Sequence, residues 1–98
     1  LFFPQPLLGN GEFFALKVRG DSMIEKGIFD GDIAILKKQP IAHNGEIVAA
    51  LVEGDATLKI FRKMGSKIHL VPANSGYQPI ISDDILILGT LVSIFRRY

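Results

Sequence analysis

The sequence predicts a mostly β fold, with curved sheets or a partly open barrel, and three observations predict it. Its apolar runs are short. Turn-forming residues recur about every ten positions, a spacing suited to sandwiches and small barrels. No stretch carries a sustained helical period. Ninety-eight residues suffice for one hydrophobic core and are too few for two, so residues 1–98 are read as one domain. No internal repeat or low-complexity linker divides them.

The elements follow in order. Phe13 to Arg19 is an apolar run bounded by Gly11 and Gly20, and Ile33 to Lys37 follows the turn signal Asp30-Gly31-Asp32. Glu46 to Val52 is almost continuously apolar, as a strand buried on both faces would be. Ala56 to Lys63 follows across Glu53-Gly54-Asp55, a spacing suited to a hairpin, and Lys67 to Val71 returns across Gly65-Ser66. Pro72 to Pro79 is read as a loop. Two apolar runs, Ile85 to Leu88 and Leu91 to Phe95, close the chain and are broken by Gly89. The one helical candidate is a brief turn after Ser22, near Met23 to Lys26, stopped by Gly27.

Composition narrows the chemistry. Hydrophobic residues make up 48% of the chain and charged residues 21%, the balance of a folded protein. With no cysteine there is no disulfide, thiol nucleophile or thiolate metal site, which fits a reducing cytosol. A net charge of +1 is no footprint for nucleic acid. The short basic pairs Lys37-Lys38, Arg62-Lys63 and Arg96-Arg97 are read as solvated strand ends. No apolar run approaches the roughly 20 residues of a membrane helix. Leu1-Phe2-Phe3, interrupted by Pro4 and Pro6, does not read as a signal peptide. The chain starts at Leu1, not Met, and is read as a piece of a longer polypeptide.

Ser22 is the first candidate for chemistry. Ser22-Met23-Ile24-Glu25 matches a capping box, in which the serine oxygen accepts a helix amide. The same strand-to-helix corner could instead expose the hydroxyl as a nucleophile, with nearby amides facing a developing oxyanion. A serine nucleophile needs a base. His43 lies in a turn and His69 on a short strand, and neither has a motif to recommend it. A lysine serves if burial lowers its pKa from about 10.4 toward neutrality. Lys59, mid-strand in Thr57-Leu58-Lys59-Ile60-Phe61, has the most suitable setting. By alternation it shares a face with Thr57 and Phe61, which is either covered or wet.

Five blocks occur in order: Val18-Arg19-Gly20-Asp21-Ser22-Met23-Ile24, Gly27-Ile28-Phe29-Asp30-Gly31-Asp32, Asn44-Gly45-Glu46-Ile47-Val48-Ala49-Ala50, Ala56-Thr57-Leu58-Lys59 and Pro72-Ala73-Asn74. Together with the closing Ile87-Leu88-Gly89-Thr90-Leu91-Val92, they resemble the C-terminal domain of the LexA family of self-cleaving repressors. The separation of 37 residues between Ser22 and Lys59 also matches that family. The resemblance runs from about Phe13 to the C-terminus.

It implies a serine endopeptidase with Ser22 as nucleophile and Lys59 as general base. The amides of Asp21 and Ser22 are candidates for the oxyanion hole, Met23 for the cleft lining and Thr57 for fixing the amine. Neither cofactor nor metal is expected, and Asp30-Gly31-Asp32 is read as a turn. The family further implies a bacterial, cytoplasmic homodimer in the SOS response to DNA damage, self-cleaving when stimulated by RecA filaments, with no membrane contact. Its substrate is a cleavage segment of its own chain. Contact with DNA belongs to an N-terminal helix-turn-helix domain. The family's scissile Ala-Gly bond lies farther upstream of the serine than the 21 residues present here, and no Ala-Gly occurs in the chain. Segment and DNA-binding domain are thus expected to be absent. Alternatives are a UmuD-like polymerase accessory protein, a phage repressor of the same family, or a noncatalytic β dimerisation module in which Ser22 is only a cap.

Overall fold

The structure, a computed structural model, describes residues 11–98; the apolar Leu1-Phe2-Phe3 run lies outside them. Seven strands form one antiparallel sheet: β1 (Phe13–Lys17), β2 (Ile33–Lys38), β3 (Ile47–Val52), β4 (Asp55–Met64), β5 (Lys67–Val71), β6 (Ile80–Ser82) and β7 (Leu86–Phe95). Their spatial order is β1-β2-β7-β3-β4-β5-β6, so the last strand inserts between β2 and β3. The sheet is open, with β1 and β6 at its edges. The mostly β class expected from the sequence is what is observed.

Both faces of the sheet are covered in its middle. Ala49 packs on one side with Val18, Met23, Ala34, Leu36 and Leu58. Its neighbours Val48 and Ala50 pack on the other with Phe61, Leu70 and Ile87. Val48, Ala49 and Ala50 are all fully buried, which is why β3 reads as a continuous apolar run. A single sheet covers two faces of itself only by bending, and β7 supplies the bends. Opposite Ala49 and Ala50 its partners jump from Gly89 to Ile87, leaving Leu88 as an extra residue. Opposite Ile35 and Leu36 they jump from Ser93 to Leu91, leaving Val92 extra. Such bulges increase local twist and redirect a strand.

One reading needs correction here, and one element went unassigned. Gly89 does not break the last strand, because β7 runs through it. A Cβ there would lie 2.4 Å from the Lys37 carbonyl oxygen and 2.9 Å from a Phe14 ring carbon. Glycine marks a close approach of backbones, not a turn. Secondly, Ile80–Ser82 forms β6 against β5, with Ile80 opposite Leu70. Three residues between prolyl and acidic neighbours are too few to show a pattern.

The hairpin between β3 and β4 behaves as the spacing requires. Val52 pairs with Asp55, so Glu53 and Gly54 alone make the turn, at φ 49° and 86°. Positive φ at both central residues is the type I′ geometry that matches strand twist. This tight turn sets the register that places Lys59 opposite Val48.

Candidate active site

The chain between β1 and β2 carries Ser22, and buried anchors hold it at each end. Val18 donates its N–H to the Asp32 carbonyl at 2.8 Å and accepts from the Gly31 N–H at 2.8 Å. The Asp30 carboxylate accepts the Gly20 N–H at 2.7 Å. Asp32, 2% exposed, takes Nε and Nη2 of Arg96 on its two oxygens, each at 2.7 Å. The Arg96 guanidinium holds the Asp32 carboxyl below its ordinary pKa, against the opposing effect of burial. The same guanidinium donates to the Gly27 carbonyl at 2.9 Å and lies over the Phe29 ring. Asp30-Gly31-Asp32 is therefore a turn that braces the serine loop. No cluster of potential metal ligands exists among the described residues.

Beyond Ser22, Met23 drops into the core at 2% exposure, and a single 3-10 turn follows at Ile24–Lys26. It ends at Gly27, in the left-handed conformation. The capping box does not form. Met23, not Ser22, occupies the N-cap position, and no side chain caps the turn. The Glu25 carboxylate instead accepts the Ser75 N–H at 2.9 Å, across to the loop after β5. The amides of the turn already have acceptors, Ile24 on Asp21, Glu25 on Ala73 and Lys26 on Met23, so none is left for Ser22 to serve.

Lys59 comes to Ser22 from β4. Leu58 and Ile60 belong to one side of the sheet and Phe61 to the other, as strand alternation requires. The Lys59 face is covered, leaving the residue 9% exposed. Its Nζ lies 3.0 Å from Ser22 Oγ, 2.6 Å from Thr57 Oγ1 and 3.2 Å from the Leu58 carbonyl oxygen. All three partners are neutral oxygens. With burial disfavouring the charged form, the amine is held below its ordinary pKa of 10.5.

Two hollows meet at Ser22. An open cleft of about 480 Å³ is lined by Arg19, Asp21, Ser22, Lys59, Tyr77 and Ile80, among others. A recess of about 110 Å³ on the other side is lined by Ser22, Met23, Thr57 and Leu58. Met23 thus faces the recess and not the larger cleft, while Asp21 lies on the cleft. Neither His43 nor His69 lines either one.

Sequence reasoning missed the loop at residues 72–79 as part of this site. Asn74 Nδ2 donates to the Asp21 carbonyl at 2.8 Å, and Tyr77 donates its hydroxyl to the Asp21 carboxylate. Glu25 donates its N–H to the Ala73 carbonyl at 2.8 Å. Pro72-Ala73-Asn74 was legible as a recurring block, but nothing local in the sequence ties it to Asp21.

A small antiparallel β protein, with a serine hydroxyl against a buried lysine amine in an open cleft, has the parts of a serine peptidase. The comparison with known families agrees: the Peptidase S24-like family model matches residues 1–92, and the chain belongs to that family. It is 51% identical over 94 residues to a LexA repressor of Streptomyces clavuligerus, a match covering 96% of this chain and 39% of the relative. It is 55% identical over 89 residues to a LexA repressor of Clostridium perfringens, covering 91% and 44%. The chain therefore spans about two-fifths of the length of the curated relatives it matches. Among the described residues no helix is long and apolar enough to cross a membrane.

Proposed function

We propose that residues 1–98 form the peptidase and dimerisation domain of a LexA-type repressor, and that Ser22 and Lys59 are its catalytic dyad. The observation that carries this is the 3.0 Å contact between Ser22 Oγ and a buried lysine amine that has no carboxylate partner among the described residues. Neutral Lys59 has two N–H donors and one lone pair. Thr57 Oγ1 and the Leu58 carbonyl accept the two donors, which turns the lone pair toward the serine hydroxyl.

The chemistry follows from that orientation. As Ser22 Oγ attacks a peptide carbonyl, its proton passes to Lys59 Nζ. The oxyanion that forms is met by the amides of Asp21 and Ser22. Ser22 N–H makes no hydrogen bond within the described residues, so it is available to do so. Collapse breaks the C–N bond, and Lys59 returns the proton to the leaving amine. Water then attacks the acyl-serine, losing its proton to Lys59; collapse breaks the ester C–O bond, Lys59 returns that proton to Ser22 Oγ, and the carboxylic product leaves.

In the intact repressor the substrate is a cleavage segment of its own chain. Cutting it separates the DNA-binding part from this domain and lifts repression of the SOS genes in the bacterial cytoplasm. A RecA filament would favour the state in which the segment fills the cleft, excludes water and keeps Lys59 neutral. A homodimer is supported by β7: Leu91 to Ile94 pair with β2 on one side, and no described strand pairs along their other edge. The relatives bear the name LexA repressor, which favours this reading over a UmuD-like partner of a polymerase.

The pH dependence of cleavage in trans tests the mechanism, using a peptide with an internal Ala-Gly bond. Only neutral Lys59 accepts the serine proton. The rate is expected to rise with pH, then level off at an inflection below 10.5, the ordinary lysine value. A rate that is flat with pH, or that survives in Ser22→Ala, would contradict it.

A further inference from the structure

The loop between β5 and β6 is tied to the residue before the nucleophile by two independent bonds. Asn74 Nδ2 donates to the carbonyl of Asp21, and the Tyr77 hydroxyl donates to its carboxylate. The loop fixes its own geometry. Gly76 N–H donates to Asn74 Oδ1 at 2.9 Å, so the amide nitrogen must be the end that faces Asp21. Tyr77 N–H donates to the Asn74 carbonyl at 3.1 Å, closing a turn from which the Tyr77 hydroxyl reaches Asp21. Ser75 and Ala73 fasten the base of the loop to Glu25.

The carbonyl of Asp21 and the N–H of Ser22 belong to one trans peptide unit and point in opposite directions from it. Whatever holds that oxygen also sets where the Ser22 N–H is aimed. That N–H makes no hydrogen bond within the described residues. Asp21 itself is exposed and follows Gly20, and the Asp21 carbonyl has little hold from its own segment. The Ile24 N–H reaches the same carbonyl only at 3.4 Å.

We infer that Asn74 and Tyr77 are positioning residues, which hold the Asp21–Ser22 peptide plane so that the Ser22 N–H faces the oxyanion formed at Ser22. This rests on the proposed role of Ser22 as nucleophile. Asn74 pins the plane through the carbonyl, and Tyr77 pins it through the carboxylate one rotor further out. Lys59 hydrogen-bonds to Ser22, Thr57 and Leu58 and, among the described residues, to neither Asn74 nor Tyr77, so the brace acts on oxyanion stabilisation and leaves the base alone.

p-Nitrophenyl acetate is a suitable probe, because it needs no matched peptide. Ser22 Oγ attacks the acetyl carbonyl, its proton goes to Lys59, and p-nitrophenolate leaves as the yellow product. Acetylation of Ser22 in the whole chain is followed by nitrophenolate release and by the mass of the Ser22 peptide, with Ser22→Ala as blank. Rates are taken across pH for wild type, Asn74→Ala and Tyr77→Phe.

Losing an oxyanion donor outright costs about 10²–10³-fold, and misaiming one costs less. Asn74→Ala is therefore expected to lower the plateau rate at least roughly tenfold, and Tyr77→Phe about threefold, part of that loss. The inflection in the pH profile should stay at its wild-type position in both. Plateaus within the error of wild type overturn the inference and leave the dyad standing. An inflection that moves up toward the ordinary lysine value also overturns it, since the loop would then act by burying Lys59. Wild-type acetylation no greater than the Ser22→Ala blank overturns the nucleophile itself, and the inference with it.

Discussion

Lys59→Ala is expected to lower cleavage by about 10²–10⁴-fold, the range for removing a positioned general base. Lys59→Arg is expected to lose as much, and this separates a base from a mere hydrogen-bond donor. Guanidinium reaches a similar distance and carries more donors, but it stays protonated and cannot accept the serine proton. The fold should survive either change, because among the described residues Lys59 is paired with no carboxylate that would be left stranded. Stability changes in a specific direction. The folded pKa lies below 10.5, so between the two values the unfolded chain binds a proton that the folded chain does not. Stability of the wild type therefore rises with pH across that window, and Lys59→Ala removes the rise. Cleavage of the Ala-Gly peptide and chemical denaturation at several pH values check both statements. Retained cleavage in Lys59→Arg would exclude the lysine as base.

Gly89→Ala is expected to destabilise the protein by roughly 3 kcal/mol, at the upper end of overpacking costs. The added Cβ would stand 2.4 Å from a backbone carbonyl oxygen of β2, which cannot rotate away as a side chain can. Relief requires β2 and β7 to separate where Lys38 opposes Gly89, in the middle of the sheet. For a chain of this size about 4–8 °C of Tm is lost per kcal/mol. Thermal unfolding would show a fall of ten degrees or more by that scaling. An unchanged Tm would mean that the strands do not approach as closely as described.

The β class was legible because side-chain alternation and turn residues are local signals. Glu53-Gly54 fixed a hairpin by its spacing, and the run from Val48 to Ala50 announced a strand buried on both faces. Gly89 misled because close backbone approach and a turn leave the same mark in a sequence. The site was legible in a different way. Residue chemistry alone left Ser22 as either cap or nucleophile, and Lys59 on a face either wet or covered. Alternation placed Lys59 beside Thr57 and Phe61, but it could not say what lies over that face. The amine's partner Ser22 comes from a loop 37 residues away in sequence. Glu25 shows the same limit: three residues after Ser22 it completes a capping pattern, yet it spends its carboxylate on Ser75. The tie of Asn74 and Tyr77 to the site was not legible because their partner Asp21 is more than fifty residues away.

The mechanism needs a neutral lysine amine beside the serine hydroxyl, and an NMR titration of the lysine side chains reads that charge at its source. Carbon-13 at Cε reports the charge of each of the seven lysines, with Lys59→Ala to assign the resonance. One lysine, Lys59, is expected to titrate below the others and below 10.5. Seven lysines titrating together at the ordinary value would contradict it.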